Sequence, residues 1–298
     1  MQETVLDVRC GEAISLLRAL EANSVDLIIA DPPYNLGKDY GNGSDNKDKE
    51  VYLSFSLDWL TACHRVLKPG GTLYVFMGVR FISYIYDILE NRLNMSFQSW
   101  VTWHYTQGLG KRKAFSPRHD DVLVFSKDMP SKFNLDAVRV PQKYYRARNN
   151  MRGANPGDVW QFSHVHYSNP NRQDHPTQKP EGLIERMVLA SSDEGDLIVD
   201  PFLGSGTTAR VCQVLKRNCT GFELNSGYVE QIKARLAQPF TGFDSLDPRM
   251  QRVPNDLTDP DIRTAYLKNH IGWFLKNNPK AIATFKKAVI EKYGKDAF

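Results

Sequence analysis

The sequence predicts an α/β fold: a doubly wound, mainly parallel sheet with an inserted region and a helical C-terminal extension. Three observations carry that expectation. Val25-Asp26-Leu27-Ile28-Ile29-Ala30 is a β-branched, apolar run that reads as a buried strand and ends abruptly at Asp31-Pro32-Pro33-Tyr34. Residues 57–67 show an amphipathic helical pattern, stopped by Lys68-Pro69-Gly70-Gly71 and followed by a strand-like run at 72–77. Helix, stop and strand make the return unit of a parallel sheet. Asp196-Leu197-Ile198-Val199-Asp200 repeats the strand-to-turn arrangement, this time opening into Pro201-Phe202-Leu203-Gly204-Ser205-Gly206-Thr207-Thr208.

Composition bounds the class. A chain of 298 residues, 41% hydrophobic and 24% charged, can bury a substantial core and falls among globular rather than disordered chains. No apolar run approaches a membrane span, and Met1-Gln2-Glu3-Thr4 opens no basic-then-apolar leader. The expectation is therefore a cytoplasmic protein with no membrane partner. Cys10, Cys63, Cys212 and Cys219 are scattered without a Cys-x-x-Cys pair, so they read as reduced core residues and support neither metal site nor disulfide frame. Net charge is +4, yet residues 106–172 carry a net +7 and residues 262–298 a net +6, which leaves −9 on the rest. Two basic segments on an acidic chain suit a polyanionic partner; a solvated basic face accounts for the same charges more plainly.

In chain order, residues 5–8 read as a strand and 12–20 as a helix with Ala13, Leu16, Leu17 and Leu20 on one face. After the strand at 25–30, consecutive prolines extend neither a helix nor a ladder, so the backbone leaves the sheet at Asp31. That projects a carboxylate, a carbonyl and the Tyr34 ring from the carboxyl end of a strand, where ligands sit in open α/β sheets. Such groups match a planar amine: two acceptors take its hydrogens while the ring stacks on the attached plane. A Pro-rich turn without that role fits Asp-Pro-Pro alone equally well. Residues 38–49 are polar, glycine-bearing and aperiodic, either a lid over this turn or a plain surface loop.

Beyond 72–77, residues 81–93 read as a helix and 97–103 as a strand ending in Trp103-His104-Tyr105. A glycine-rich basic loop at 106–118 leads into Asp121-Val122-Leu123-Val124-Phe125, expected as the closing strand of the sheet. Residues 128–172 lose periodicity and interleave cations with aromatics at Lys143-Tyr144-Tyr145-Arg146-Ala147-Arg148 and around Arg152, a mixture suited to phosphate contact and base stacking. His175-Pro176-Thr177-Gln178-Lys179-Pro180 opens a helix over 181–191. In the later turn, Gly204 and Gly206 allow close backbone approach to a ligand, with the next helix starting near Ala209. The following strand, 219–222, ends at Glu223, 23 residues after Asp200, where an acid takes the ribose hydroxyls of a nucleoside. From Gln238 onward four prolines mark a linker, before lysine-rich helices at 262–274 and 279–293.

The pair Asp31-Pro32-Pro33-Tyr34 and Asp200-Pro201-Phe202-Leu203-Gly204-Ser205-Gly206-Thr207-Thr208, with His175-Pro176-Thr177-Gln178-Lys179-Pro180 between them, resembles the amino-group DNA methyltransferases that use S-adenosylmethionine. The motif order is similar to that of their β class, and the resemblance covers roughly residues 5–237. It implies a Rossmann-like methyltransferase domain over 1–237 with a target-recognition region inserted at about 128–172, and a basic helical extension over 238–298. It implies that Asp31, Pro32, Pro33 and Tyr34 are catalytic. It gives S-adenosylmethionine contacts to Glu12, Asp31, His175, Thr177, Lys179, Asp200, Phe202, Gly204, Ser205, Gly206, Thr207, Thr208 and Glu223; Glu12 stands where the family has aspartate. Double-stranded DNA would meet Trp103, Tyr105, Lys111, Arg112, Arg146, Arg148 and Arg152, although Trp103 and Tyr105 fit core packing too. The family tends to place serine at the Asp31 position for cytosine, so the reaction expected is methylation of the N6 amine of a flipped-out adenine, with no covalent cysteine intermediate and no metal. Cytosine N4 methylation and a non-catalytic cofactor-binding subunit are the alternatives. A homodimer and a cognate restriction endonuclease are partners the resemblance leaves open.

Overall fold

A computed structural model of the chain describes residues 4–38, 45–105, 110–141, 153–166, 169, 172–242, 253–254, 256–267 and 279–295. The chain forms two compact units, Met1–Phe133 with Asp158–Asp244, and Asn134–Gly157 with Ser245–Phe298.

The first unit is built on eight strands: β1 (Leu6–Cys10), β2 (Val25–Ala30), β3 (Leu67–Met77), β4 (Ser96–His104), β5 (His119–Ser126), β6 (Val159–Gln161), β7 (Leu197–Asp200) and β8 (Asn218–Glu223). Their order across the sheet is β1-β8-β7-β2-β3-β5-β4-β6. Every pairing is parallel except those of β5, which runs antiparallel to both β3 and β4. Strand β5 therefore does not close the sheet, as its sequence suggested, but lies inside it. Residues 121–126 are buried without alternation, the pattern of a strand covered on both faces, which an edge position would leave half wet. The short β6, in the stretch without periodicity, takes the edge instead.

Helices cover both faces. In this unit they are α1 (Ala13–Ala19), α2 (Lys49–Val66), α3 (Ile82–Asp87, continuing as a π turn over Ile88–Arg92), α5 (Glu181–Ser191), α6 (Thr207–Leu215) and α7 (Ser226–Ala237); α4 (Leu135–Val138), α8 (residues 260–267) and α9 (Pro279–Tyr293) belong to the second unit. Leu73, Val75 and Met77 of β3 pack into one core with Trp59, Cys63, Phe81 and Ile85. On the opposite face Tyr74 bonds its hydroxyl to that of Ser191, at the end of α5, at 2.8 Å. Helix α2 starts eight residues before the amphipathic pattern suggested. Ser56, a buried polar residue on its apolar face, hides the period; its hydroxyl donates back to the Tyr52 carbonyl at 2.8 Å. The stop after α2 holds, but Pro69-Gly70-Gly71 belongs to β3. The register jumps from Val25↔Leu67 to Leu27↔Thr72, a bulge in which proline's missing N–H leaves no ladder bond unmade.

From β7 the chain passes through α6 to β8 on one side, and from β2 through α2 to β3 on the other. The carboxyl ends of β7 and β2 thus flank the point where the winding reverses, which opens a crevice for a ligand. Among the described residues no helix is long and apolar enough to cross a membrane.

In the second unit Val140 and Ala154 form an antiparallel bridge, and the Val253 amide donates to the Arg139 carbonyl at 2.7 Å. Gly153 has φ +104, and a Cβ there would lie 2.4 Å from the Val140 carbonyl oxygen and 2.8 Å from Val253. No other residue fits there without moving the backbone.

Candidate active site

The turn after β2 is held from several directions. Asp31 Oδ1 accepts the Tyr34 hydroxyl at 2.8 Å, and Oδ2 is paired with the ammonium of Lys179. The Pro33 carbonyl accepts the Tyr52 hydroxyl at 2.8 Å, so the early part of α2 buttresses the turn. Asn35, buried and left-handed at φ +57, exchanges two bonds with the Lys47 backbone at 2.8 and 2.6 Å. Asp45 accepts from the amides of Leu36 and Lys38 at 3.2 and 2.6 Å. Both ends of the loop expected at 38–49 are therefore tied back onto the turn; residues 39–44, for which the sequence leaves a lid and a plain surface loop open, lie outside the described residues.

On one side of Asp31 lies an aromatic arm. Lys179 Nζ stands 5.7, 5.1 and 6.0 Å from the ring centres of Tyr34, Phe76 and Trp103. Trp103 is buried, donating its indole N–H to the Phe162 carbonyl at 2.8 Å, so it serves core packing and cavity wall together. The Tyr105 and His164 rings lie 4.0 Å apart, and the Tyr105 hydroxyl reaches Asp120 at 3.5 Å. Burial pushes His164 down to about 4, with Lys179, Lys38 and Arg172 adding to it, so its imidazole is neutral at pH 7. Burial also raises the Asp120 carboxyl, opposed by Lys179 and reinforced by Asp31, and lifts the Tyr105 phenol to about 12. Phe76, Asp120 and His164 were not singled out in the sequence. For Asp120 a signal existed: it alternates with Asp121, which turns to the other face and bonds the Trp100 indole at 2.9 Å.

On the other side lies a polar arm. Asp200, at the end of β7, accepts the Phe202 amide at 3.0 Å and the Thr208 hydroxyl at 2.6 Å. Burial lifts its carboxyl to about 7, against those two bonds and with help from Asp31 and Glu223. Glu223, at the end of β8, accepts the amides of Gly204 and Asn225 at 2.9 and 2.8 Å; burial raises its carboxyl while these amides pull it back. Gly204 has φ +54, and a Cβ there would meet the His175 ring at 3.1 Å. His175 in turn lies edge-on to Tyr228 at 4.9 Å and is pushed down to about 4 by burial, against the pull of Asp31. Thr207 donates its hydroxyl to the Lys179 carbonyl at 3.1 Å, tying the glycine turn to the His175–Lys179 segment. Beneath it the buried Arg235 bonds the Ser205 carbonyl at 2.8 Å and Glu181 at 2.7 Å, a support with no local sequence signature.

Two of the residues expected at the cofactor also have structural roles. Gly206 is not among the residues lining the cavity; at φ +78 a Cβ there would meet Ile232 of α7 at 2.8 Å, so a side chain would strike helix packing and not ligand space. Glu12 lines the cavity, but its carboxylate caps α1, accepting from Ile14 and Ser15 at 2.9 and 2.8 Å. Burial alone would raise it; the two amides win and hold it below the usual range. Lys111 and Arg112 are exposed on the loop before β5, outside the cavity wall, while Arg146, Arg148 and Arg152 lie outside the described residues.

The two arms join in one cavity of about 800 Å³, with Asp31, Pro32, Pro33, Tyr34 and Lys179 at the junction and Thr177, Asp200, Phe202, Ser205, Thr208 and Glu223 on the polar side. That volume is at the upper part of the usual range of roughly 300–1,000 Å³ for a small-molecule site. It suits two planar groups meeting end to end at a carboxylate.

A family model described as DNA methylase, covering N6 and N4 enzymes, matches residues 25–234. The Type II methyltransferase M.HpaI of Haemophilus parainfluenzae is 60% identical over 288 residues, 96% of this chain and 91% of that protein. Among solved structures, the cytosine-N4-specific PvuII DNA methyltransferase superposes with a TM-score of 0.65 at 19% identity, over 80% of this chain and 88% of that one. A complex of M1.HpyAVI with SAM superposes at 0.57 and 24% identity, over 78% of this chain and 100% of that one. At such identities these two likenesses speak for the fold alone.

Proposed function

The chain belongs to the N6/N4 family of DNA methylases, and from that premise we propose that it transfers a methyl group from S-adenosylmethionine to the exocyclic N6 amine of adenine in double-stranded DNA. The observation that supports this most is the Asp31 turn: an acidic acceptor, held by Tyr34 and Lys179, at the junction of an aromatic and a polar arm.

The residues present fit S-adenosylmethionine. Glu223 is a buried acid at the end of the strand after the glycine turn, suited to ribose hydroxyls. Phe202 and Tyr228 offer ring faces for the adenine, the hydroxyls of Thr177, Ser205 and Thr207 suit the amino-acid end, and Asp200 adds an acid near the positive centres. When bound, this cofactor supplies an electrophilic methyl group on a sulfonium.

The work left to the chain is to make a poor nucleophile attack. The N6 lone pair is delocalised into the purine ring, which flattens the amine. Asp31 accepts one amine proton through its carboxylate and another through its main-chain carbonyl, which draws the nitrogen towards tetrahedral geometry and localises the pair. Tyr34, Phe76 and Trp103 hold the ring in the aromatic arm. The proton shed by the amine passes to the Asp31 carboxylate as base. Since the amine is paired inside the duplex, the base must leave the stack, at a cost of a few kcal/mol.

Sequencing DNA from cells expressing the protein, with modified-base detection, tests the reading and gives the recognition site. N6-methyladenine at one short sequence is the expected result; N4-methylcytosine would transfer the same geometry to the alternative base, and unmodified DNA would remove the catalytic reading.

A further inference from the structure

Phe115 is 101% exposed, on the loop before β5, among cationic residues. Residues 110–118 lead into β5 and hold Lys111, Arg112, Lys113 and Arg118, with no acid before Asp120. The loop is shaped rather than open: the Lys111 amide donates to the Ser116 hydroxyl at 2.7 Å, and the Tyr105 amide donates to the Arg118 carbonyl at 2.9 Å. Its returning arm reaches the aromatic side of the cavity, where Pro117 and His119 line the wall beside Tyr105 and Asp120. The bare phenyl ring thus stands two residues from the rim of the pocket proposed to take the target base.

An exposed phenyl ring within four residues of Lys111, Arg112, Lys113 and Arg118 is poorly placed for an apolar protein surface, because docking it there would desolvate the cations. Duplex DNA has the complementary arrangement, charge on the outside and stacked apolar faces within. Resting on the base-flipping reading above, we infer that Phe115 enters the duplex at the target position and stacks in the gap the flipped base leaves, while Lys111, Arg112 and Lys113 hold the flanking phosphates. The ring lowers the cost of extrusion and delays return of the base. It takes no part in the transfer itself.

The test uses the full chain and duplexes carrying its recognition site, with the target adenine either normally paired or opposite an abasic position, where unstacking is already cheap. Phe115→Ala should slow single-turnover methylation of the normal duplex about tenfold, yet stay within about twofold of wild type on the abasic duplex. Phe115→Leu, which keeps an apolar wedge, should fall between. With 2-aminopurine at the target position, the fluorescence rise on binding should be large for wild type and small for Phe115→Ala. Equal rates for Phe115→Ala and wild type on the normal duplex would overturn the wedge, as would an equal loss on both duplexes. A change of molar mass in solution with Phe115→Ala would assign the ring to a contact between copies instead. If wild type itself neither brightens 2-aminopurine nor gains from the abasic partner, base flipping fails, and the wedge with it.

Discussion

The ammonium of Lys179 lies on the Asp31 carboxylate, which places a cation where the target amine is expected to bind. Both carboxylate oxygens are engaged, Oδ1 by Tyr34 and Oδ2 by Lys179, and the rings of Tyr34, Phe76 and Trp103 surround the lysine head. An ammonium offers the same N–H donors as an exocyclic amine. On the proposed reading the side chain holds the acceptor in place until a base displaces it, while the Lys179 carbonyl accepts the Thr207 hydroxyl of the glycine turn.

Lys179→Met should therefore slow methyl transfer and lower the melting temperature, since it leaves a carboxylate in an apolar setting without its counter-charge. Affinity for S-adenosylmethionine should change little. Calorimetry showing a large loss of cofactor affinity, with melting unchanged, would return Lys179 to the cofactor.

Asp31→Ala should cut transfer by about 10²–10⁴-fold, the usual scale for a positioned proton acceptor, and leave cofactor affinity intact. Alanine also strands the Lys179 ammonium, so Asp31→Asn is the control: it keeps an acceptor for lysine and should fold normally while transferring just as poorly. A variant of either kind working near the wild-type rate would remove Asp31 from the reaction.

The local parts of this site were legible because each is a strand end followed by a turn of special residues. Asp31-Pro32-Pro33-Tyr34 and the Asp200–Thr208 turn announce themselves within a few residues, and the pairing of β2 with β7 brings them together. The rest is assembled across the sheet. Phe76, Asp120 and His164 come from three separate segments, β3, β5 and the aperiodic stretch after β6, and meet only once β5 inserts between β3 and β4. Arg235 supports Ser205 from 30 residues away. Gly206 was legible as glycine but not in its reason, because nothing in a glycine turn says which side a Cβ would face.

That reason separates two variants. Glu223→Ala should weaken cofactor binding by roughly 1–3 kcal/mol, the cost of losing hydrogen bonds to a charged group. Gly206→Val should lower the melting temperature first, by driving a side chain into Ile232 at a left-handed position. Gly206→Val melting like wild type, with lost cofactor affinity, would put the glycine back on the ligand side.

Asp200 carries a pH dependence of definite sign. Its folded-state value of about 7 stands above its ordinary 3.8, so the stability it contributes is full below 3.8 and is lost as pH rises to about 7. His164 and His175, pushed from 6.5 down to about 4, act oppositely: their contribution is full above 6.5 and is lost as pH falls to about 4. Asp200→Asn, whose amide can keep both Thr208 and Phe202 as partners, should therefore gain stability more steeply than wild type from pH 4 to 7. The slopes should differ by up to one proton, about 1.4 kcal/mol per pH unit. Parallel melting curves over that range would mean that Asp200 is ionised throughout.

The C-terminal lysines are best tested by charge rather than by truncation. Deleting residues 245–298 would remove Val253, whose amide bonds the Arg139 carbonyl and whose methyl group packs on Gly153, so it would disturb residues 134–157 as well. Recognition and general affinity would then change together. Lys287 and Lys292 are exposed on α9, whereas Ala288 and Val289 are buried among its described side chains. Reversing the two lysines to glutamate spares that packing. Lysine is a flexible point charge suited to phosphate, whereas bidentate base reading favours arginine, the role expected of Arg146, Arg148 and Arg152. Lys287→Glu with Lys292→Glu should thus leave the recognition sequence unchanged and weaken DNA binding. The slope of log affinity against log salt should flatten by about 0.9 for each phosphate that is no longer neutralised. An unchanged slope with a shifted molar mass would make α9 a contact between copies; a changed recognition sequence would make it a reader of bases.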